Sequence, residues 1–343
     1  MSVNRSSMHY SSGVPLALAT VMVLGLGLAA GLLAQAVSGP VSAQPVFQRE
    51  GEFSVDAISQ PRWLGKFLVD VRDRESKSPL FEVTDSNGNK ERVSFELPDT
   101  AFIQALRYNA GADGSIVAIG IALSGKNGGA SFLAWIPPDR KSQTVIQTAP
   151  FVPEAVAVAA DGSIWSVGTL FDDDKRRTIA DNVIQRYATS GKLLFSVAVP
   201  GVNFPSETPG DATQNSTLQA SKDRVGWFTS ANQYLEFSLD GKEIGRYEGP
   251  PIPRSSPNHN DRFALSVDNQ AVLGIVGSDM RSYSMAMLNR KDRVWVPVTL
   301  MDGEVQSVRE RLAGFDGTEL VTQSDKRAGI ITRWKRGAAS GAR

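Results

Sequence analysis

Short runs of β-branched and aromatic residues, several of which alternate apolar with polar positions, fill the chain beyond about residue 45. Turns rich in Gly and Asp separate these runs, and there is little helical periodicity. Alternation with a period of two is typical of half-buried strands, whereas an amphipathic helix repeats its apolar positions every three to four residues. The pattern predicts an all-β fold of short antiparallel strands.

Two series of turns recur with a common period near 50 residues. The first contains Asp113, Asp161, Asp223, Asp268 and Asp316. The second contains Asn87-Gly88, Asp139-Arg140, Ser190-Gly191, Asp240-Gly241 and Lys291-Asp292. Tight hairpin turns need the positive φ that Gly and Asn tolerate. Two interleaved series with one period predict a repeated unit of four strands, here named a to d from the centre outwards, which is the unit of a β-propeller.

Counting such units along the chain gives six blades. The first is predicted to begin with an inner strand over Phe53–Ile58, and the sixth, which begins with Ser307–Gly314, lacks an outer strand. The segment Pro45–Glu50 precedes the first blade and can supply that missing strand, which would remove an exposed sheet edge. The sequence therefore predicts a six-bladed β-propeller closed by its N-terminal strand.

The third blade carries the most specific motif. Residues 159–168 read AADGSIWSVG, and residues 183–201 read VIQRYATSGKLLFSVAVPG. These segments resemble a unit of the six-bladed propellers of the NHL, streptogramin-lyase and SMP-30/gluconolactonase type. The resemblance implies the fold. It also implies two kinds of site to look for. One is a calcium site formed by Glu, Asn and Asp of several inner strands, as in lactonases, and the other is a histidine-dependent lyase site, as in streptogramin lyases.

The N-terminal residues carry a targeting signal. Residues 14–37 are almost entirely apolar, Arg5 precedes them, and Val41 and Ala43 occupy the small-residue positions of a secretory cleavage site. The run is also long enough to span a bilayer as an uncleaved anchor. Both alternatives predict export, to the periplasm or the cell exterior, and they divide the chain into residues 1–43, a propeller over 44–336 and a basic tail over 337–343.

Composition excludes several classes of function. The 36 basic and 36 acidic residues balance, which excludes a broad electrostatic footprint for nucleic acid. The absence of cysteine excludes disulfides, thiol nucleophiles and iron–sulfur centres. With only His9 and His259, a His-rich metal centre is impossible. His259 has the intrinsic pKa of a general base, but a lone histidine in a Pro/Asn-rich loop is more often an exposed turn residue.

The longest insertions are predicted on one face of the propeller. In each blade the a–b and c–d turns share one face, which we name the turn face, and the b–c and d–a connections share the other, which we name the loop face. Long connections are predicted on the loop face over residues 171–182, 200–215 and 249–261. Because loops on a rigid scaffold often carry function, the loop face is the predicted binding face.

Candidate site residues follow from the same alignment. Counting back seven positions from each aspartate of the first series gives Leu106, Glu154, Ser216, Asp261 and Arg309, where each inner strand starts from the loop face. From these positions and the next ones along the strands we select as candidate ligand-binding residues Glu154, Arg107, Asp261, Arg262, Arg309 and Glu310. The alternative is that they form solvated ion pairs lining a water-filled tunnel.

The acidic run at Asp172 and the tryptophans are interpreted as structural rather than functional features. Asp172-Asp173-Asp174 could offer oxygen ligands to calcium, but neighbours in an extended chain point in alternate directions and three positive charges follow, so a solvated loop is favoured. The tryptophans are expected to pack between blades. They are Trp63, Trp135, Trp165, Trp227, Trp295 and Trp334.

These observations favour a binding module over an enzyme. The predicted protein is an exported or membrane-tethered propeller that binds a small molecule or a protein through its loop face. No catalytic residue, resident metal or other cofactor is assigned, and contact with a membrane is expected only through residues 14–37. The alternative is a calcium-dependent lactonase or esterase with its site at the mouth of the central channel and Glu154 as a ligand.

Overall fold

The computed structural model describes residues 44–55, 62–64, 66–73, 75–85, 87–124, 128–172, 175, 177–202, 217–229, 231–251, 260–276, 282–324 and 329–337. Within these ranges every regular element is a β-strand, and they form six sheets. The inner strands contact one another in sequence order, and the sixth contacts the first. The chain is therefore a six-bladed β-propeller. The apolar segment over residues 14–37 lies outside the described ranges, in which no helix could span a membrane.

The strands follow one another blade by blade. The first strand, β1 (Val46–Ser54), belongs to the sixth blade. Blade one contains β2 (Arg62–Leu64), β3 (Phe67–Asp73), β5 (Leu80–Asp85) and β6 (Lys90–Ser94). Its b–c connection includes β4 (Glu75–Ser76), which pairs with the inner strand of blade two. Blade two contains β7 (Phe102–Ala110), β8 (Ile116–Ser124), β9 (Gly128–Ile136) and β10 (Thr144–Gln147). Blade three contains β11 (Phe151–Val158), β12 (Ile164–Asp172), β13 (Arg177–Tyr187) and β14 (Leu193–Ala198).

The second half repeats this plan and adds strands at its end. Blade four contains β15 (Thr217–Ala220), β16 (Arg224–Phe228), β17 (Gln233–Ser238) and β18 (Glu243–Glu248). Blade five contains β19 (Asn260–Leu265), β20 (Ala271–Val276), β21 (Tyr283–Asn289) and β22 (Val294–Pro297). Blade six contains β25 (Glu310–Phe315), β26 (Glu319–Ser324) and β27 (Ile330–Arg336), joined by β1, β23 (Thr299–Asp302) and β24 (Val305–Gln306).

The N-terminal strand closes the ring, as the sequence predicts. Strand β1 pairs antiparallel with β27 and parallel with β23, so it lies inside the sixth sheet rather than at its edge. It is longer than predicted, because its ladder continues to a pair between Ser54 and Ile330. Phe53 therefore belongs to the closing strand, where its ring lies 6.3 Å from that of Trp63. The prediction of an inner strand over Phe53–Ile58 was wrong, and β2 fills that place.

Local side-chain hydrogen bonds explain the recurring turns. In blade three, Asp161 Oδ1 accepts a hydrogen bond from the backbone N of Ser163 at 2.9 Å, and Gly162 has a φ of +80°. Blade two repeats this arrangement with Asp113 and Ser115, again at 2.9 Å. An aspartate that bonds the backbone two residues on fixes the turn without any distant contact. Both turn series lie between strands a and b or c and d, which confirms the predicted period.

The core is divided among the junctions between blades. The described residues form six buried clusters, and each draws its members from two neighbouring blades. Trp165 and Trp227 are 0% and 1% exposed in the cluster between blades three and four, and Trp334 is equally buried between blades five and six. The expectation that tryptophans pack between blades is confirmed. Burial on this scale supplies the main driving force for assembling the ring.

The predicted long loop over residues 171–182 is mostly a hairpin. Strands β12 and β13 continue as far as a pair between Asp172 and Arg177, and Phe171 pairs with Thr178. The expectation of a long loop here was wrong, because cross-strand pairing carries both strands almost to the charged tip. Within that tip, the Lys175 ammonium forms an ion pair with the Asp172 carboxylate at 3.2 Å. Of the other two predicted loops, 200–215 and 249–261, residues 203–215 and 252–259 lie outside the described residues, and His259 is among them.

Candidate functional site

Three inner strands carry a β-bulge at the same aligned position. The register of β7 against β8 shifts around Leu106, that of β11 against β12 around Glu154, and that of β19 against β20 around Asp261. All three residues lie seven positions before the turn aspartate of their blade. A bulge leaves one residue unpaired and re-aims the chain, and bulges are common beside functional sites. Two of the site residues selected from the sequence, Glu154 and Asp261, thus lie at irregular positions of the sheet.

A glycine on the neighbouring strand accompanies each bulge. Gly120 pairs with Ala105, Gly168 with Pro153, and Gly274 with Arg262. A Cβ added at Gly168 would lie only 2.1 Å from the backbone oxygen of Val152, a distance that no side chain tolerates. The glycine therefore permits the close approach that the bulge in β11 requires.

Glu154 is the best-defined carboxylate on the loop-face side of the channel. Its side chain is half-buried, and Thr169 Oγ1 donates a hydrogen bond to Glu154 Oε1 at 2.9 Å. Burial raises the pKa of Glu154 from its ordinary value of 4.5 to about 7, against the opposing effects of this hydrogen bond and of the charge of Arg107, while Asp181 raises it further. Desolvation thus outweighs the attraction of the nearby guanidinium.

Blade six repeats the pairing of a glutamate with a threonine. Glu310 is 9% exposed at the start of β25, and Thr322 Oγ1 donates a hydrogen bond to Glu310 Oε2 at 2.6 Å. Trp334 Nε1 in turn donates to Thr322 Oγ1 at 2.8 Å. These hydrogen bonds hold the Glu310 carboxylate in one orientation, because the Thr322 hydroxyl accepts from Trp334 and therefore donates toward Glu310.

The predicted residues thus fall into three groups. Arg107 and Glu154, from neighbouring blades, are close enough to interact electrostatically. Glu310 is buried in blade six, and Arg309 before it is exposed. Asp261 and Arg262 lie in β19 at its bulge, and their side chains are outside what the structure describes.

Sequence reasoning missed two amides deeper in the channel. Asn109, which is 1% exposed, donates through Nδ2 to the backbone oxygens of Val156 and Leu218, both at 2.9 Å, and so ties the inner strands of blades two, three and four together. Gln219 is 5% exposed on the inner strand of blade four. Both lie four positions before their turn aspartate, where two other blades have alanine. Counting back four positions as well as seven would have found them.

The described residues around Glu154 do not fit a bound calcium ion. Across the described ranges no three His, Cys, Asp or Glu side chains lie close enough together to hold a metal. The guanidinium of Arg107 beside Glu154 would also repel a cation, and calcium takes six to eight oxygen ligands.

Comparison with known proteins gives structural matches only. No family model matches the chain, and no curated protein does. Among solved structures it is similar to a protein of unknown function from Bacteroides caccae (TM-score 0.45, 10% identity, covering 78% of this chain and 89% of that one). It is also similar to BamB from Moraxella catarrhalis (TM-score 0.41, 12% identity, 84% and 99% covered) and to the Dos1 propeller (TM-score 0.42, 12% identity, 78% and 65% covered).

Proposed function

We propose that this chain is an exported or membrane-tethered binding propeller that takes a ligand or a protein partner on its loop face. The observation that supports the proposal most directly is the aligned set of bulges at Leu106, Glu154 and Asp261. Regular pairing would suffice for a purely structural inner strand. Irregular pairing at the same position of three inner strands, at the loop-face end of the channel, is typical of positions that present side chains to a partner.

The state of Glu154 also favours binding over a solvated ion pair. In a solvated pair with Arg107, the attraction would lower the pKa of the carboxyl below its ordinary value. Here burial raises that pKa to about 7, so the carboxyl is desolvated beyond what its present partners offset. A cationic or hydrogen-bonding group of a partner would relieve this cost. Perturbed carboxyls of this kind are concentrated at functional sites.

The tip of the β12–β13 hairpin supplies apolar surface near this carboxyl. Ile179 is 59% exposed in β13, two residues from Asp181, which contributes to the pKa of Glu154. An apolar contact beside a partly desolvated carboxyl is the composition expected of a protein-binding surface, in which a hydrophobic centre adjoins polar groups. A protein partner is therefore favoured over a small solute on this face.

The finer assignments are part of the same proposal. The motif of residues 159–168 supports a propeller of the NHL, streptogramin-lyase and SMP-30/gluconolactonase type. The apolar segment over residues 14–37 supports export. The alternative of a calcium-dependent lactonase or esterase finds no support in the described residues, because Glu154 has a guanidinium neighbour and no carboxylate cluster.

Site-specific photo-crosslinking tests the proposal with a matched pair of positions. Ile179 and Ile244 are both exposed isoleucines, but the first lies toward the loop face and the second near the turn face at the start of β18. Each is replaced in turn by p-benzoylphenylalanine in the full chain, and cells that make the protein are irradiated. We expect discrete adducts from position 179 only, and their loss when Glu154→Gln is added.

Three outcomes would contradict the proposal. They are adducts of equal yield from both positions, adducts from position 244 alone, and adducts from position 179 that Glu154→Gln leaves unchanged. The melting temperature of each variant shows whether the propeller is intact, so that a loss of adducts is not mistaken for unfolding.

A further inference from the structure

A cavity of about 150 Å³ lies at the turn-face end of the channel, opposite the proposed binding face. Its lining comes from all six inner strands and from the a–b turns that follow most of them. Residues such as Ala160, Lys222 and Asp316 belong to the turns and surround the mouth, whereas Asn109 and Gln219 lie earlier on their strands and therefore deeper. The cavity is thus a pocket that opens on the turn face.

Most of the wall is apolar. Leu64, Val158 and Leu265 contribute aliphatic surface. Phe263 and Phe315 also line the cavity, but each is only 4% exposed, because their rings pack against Tyr234 and Phe47 in the blade junctions. These residues come from four different blades, so a bound molecule would contact the wall around its circumference. An apolar cavity of about 150 Å³ is large enough for a benzene-sized molecule, as has been found for an engineered cavity of that volume.

The two deep amides differ in whether the protein satisfies them. Asn109 is fully used, because Nδ2 donates to two backbone oxygens and Oδ1 accepts from the backbone N of Ala110 at 2.9 Å. Gln219 is 5% exposed and lines the cavity, and its side-chain amide has no hydrogen-bond partner among the described residues. Because it lines the cavity, Gln219 presents a donor and an acceptor to whatever occupies it.

The charged groups at the mouth do not require a charged ligand. The carboxylate of Asp316 accepts hydrogen bonds from the backbone N of Thr318 at 2.8 Å and of Glu319 at 2.7 Å, so it stabilises its own turn. Lys222 is exposed. A solvated ammonium and a carboxylate engaged in its own turn add little to binding. Recognition therefore depends on the apolar wall and on the single amide.

We propose that this cavity binds a small neutral molecule of about six to ten non-hydrogen atoms, with an aromatic or branched aliphatic body and one hydroxyl or carbonyl group. The body fills the apolar part of the cavity, and its polar atom hydrogen-bonds with Gln219. A phenol is the simplest member of this class. This site is separate from the loop face, so it stands or falls independently of the partner proposed there.

Ligand-observed fluorine NMR with two matched probes tests the proposal on the purified full chain. 4-Fluorophenol and 4-fluorotoluene have the same number of non-hydrogen atoms, but only the phenol can hydrogen-bond with Gln219. We expect both to bind and the phenol to bind about fivefold more tightly, which is the effect of one ordinary hydrogen bond. Failure of the wild-type chain to bind either probe at millimolar concentration would overturn the proposal.

Two variants and one control separate the cavity from non-specific binding. Gln219→Leu keeps the volume and removes the amide, so the preference for the phenol should disappear while 4-fluorotoluene still binds. Ala220→Phe, at a half-buried position that lines the cavity, should reduce binding of both probes at least tenfold. Gln306→Leu removes an exposed glutamine elsewhere and should change nothing.

An unchanged preference in Gln219→Leu would refute the assigned hydrogen bond. If Ala220→Phe melts far below the wild type, the Gln219→Leu comparison still decides the matter, because that variant adds no volume.

Discussion

Phe47 is the one buried side chain of β1, and we expect ring closure to depend on it. Phe47 is 0% exposed, and its ring meets that of Phe315 edge-on at 5.9 Å. Leu300 and Trp334 belong to the same buried cluster, so Phe47 contacts strands on both sides of β1 as well as the inner strand of blade six. Phe47→Ala would remove this contact and leave the backbone pairing of β1 in place.

The expected loss of stability is about 4 kcal/mol. A buried phenylalanine removes roughly 150 to 250 Å² from water, which at about 25 cal/mol per Å² corresponds to about 4 to 6 kcal/mol, and alanine keeps part of that. Measured Phe→Ala changes in cores are about 3 to 5 kcal/mol. Partial collapse around the space would lower the value, and loss of the edge-on ring contact would raise it.

Urea unfolding of the full chain measures the effect. With a slope of about 3 kcal/mol per molar urea, 4 kcal/mol moves the midpoint down by about 1.3 M. Phe53→Ala is the matched control, since Phe53 lies in the same strand but is only half-buried, and we expect at most half the shift. If the two variants shift the midpoint equally, or if Phe47→Ala costs less than about 1 kcal/mol, then closure does not depend on this side chain.

Three further outcomes are expected. The pKa of Glu154 is raised from 4.5 to about 7 in the folded state, so between these pH values the folded chain keeps a proton that the unfolded chain has released. The free energy of unfolding should therefore fall by up to about 3 kcal/mol between pH 4.5 and 7 and stay low above pH 7. Glu154→Gln should remove that fall, and melting curves that keep the same pH dependence in the variant would show the assignment to be wrong. Gly314→Ala should destabilise by about 1 to 3 kcal/mol in urea, because its Cβ would lie 2.0 Å from the backbone oxygen of Trp63, whereas Gly51→Ala, with nothing within 4 Å, should cost far less. Neither calcium nor EDTA should change the melting temperature, and a chelator-reversible rise would restore the lactonase alternative.

The repeat could be predicted because its turns are determined locally. Asp161 and Ser163 form their turn by themselves, so the sequence signal survives in every blade that keeps such residues. The extent of β1 could not be predicted, because the pairing of Ser54 with Ile330 depends on a strand at the other end of the chain. The hairpin of blade three was missed for a similar reason, since the charged run at Asp172 resembles a loop until its cross-strand partner is known.

The candidate site was predictable in part. Counting from the turns identified Glu154, since a fixed offset along the inner strand corresponds to a fixed height in the ring. The offset could not show that the pKa of Glu154 is raised, because that pKa depends on burial in the fold and on the charges of Arg107 and Asp181, which come from other strands. The contacts of Asn109 with Val156 and Leu218 join three blades and leave no trace in local sequence.

The position of β1 inside the sixth sheet has a consequence for the order of events during synthesis. Glu50 of this strand meets Lys335 of β27, 285 residues further along the chain. At about 5 to 20 residues per second, the ribosome needs roughly 15 to 60 s to make the partner after β1 has appeared. Over that interval Phe47 has no place to be buried, and the contact that completes the ring is among the most distant in sequence and so among the slowest to form. Among the described strands β1 is made first and β27 last, so β1 can take its full place in the sixth sheet only after the rest of the ring has been synthesised, and until then both of these strands have unpaired edges.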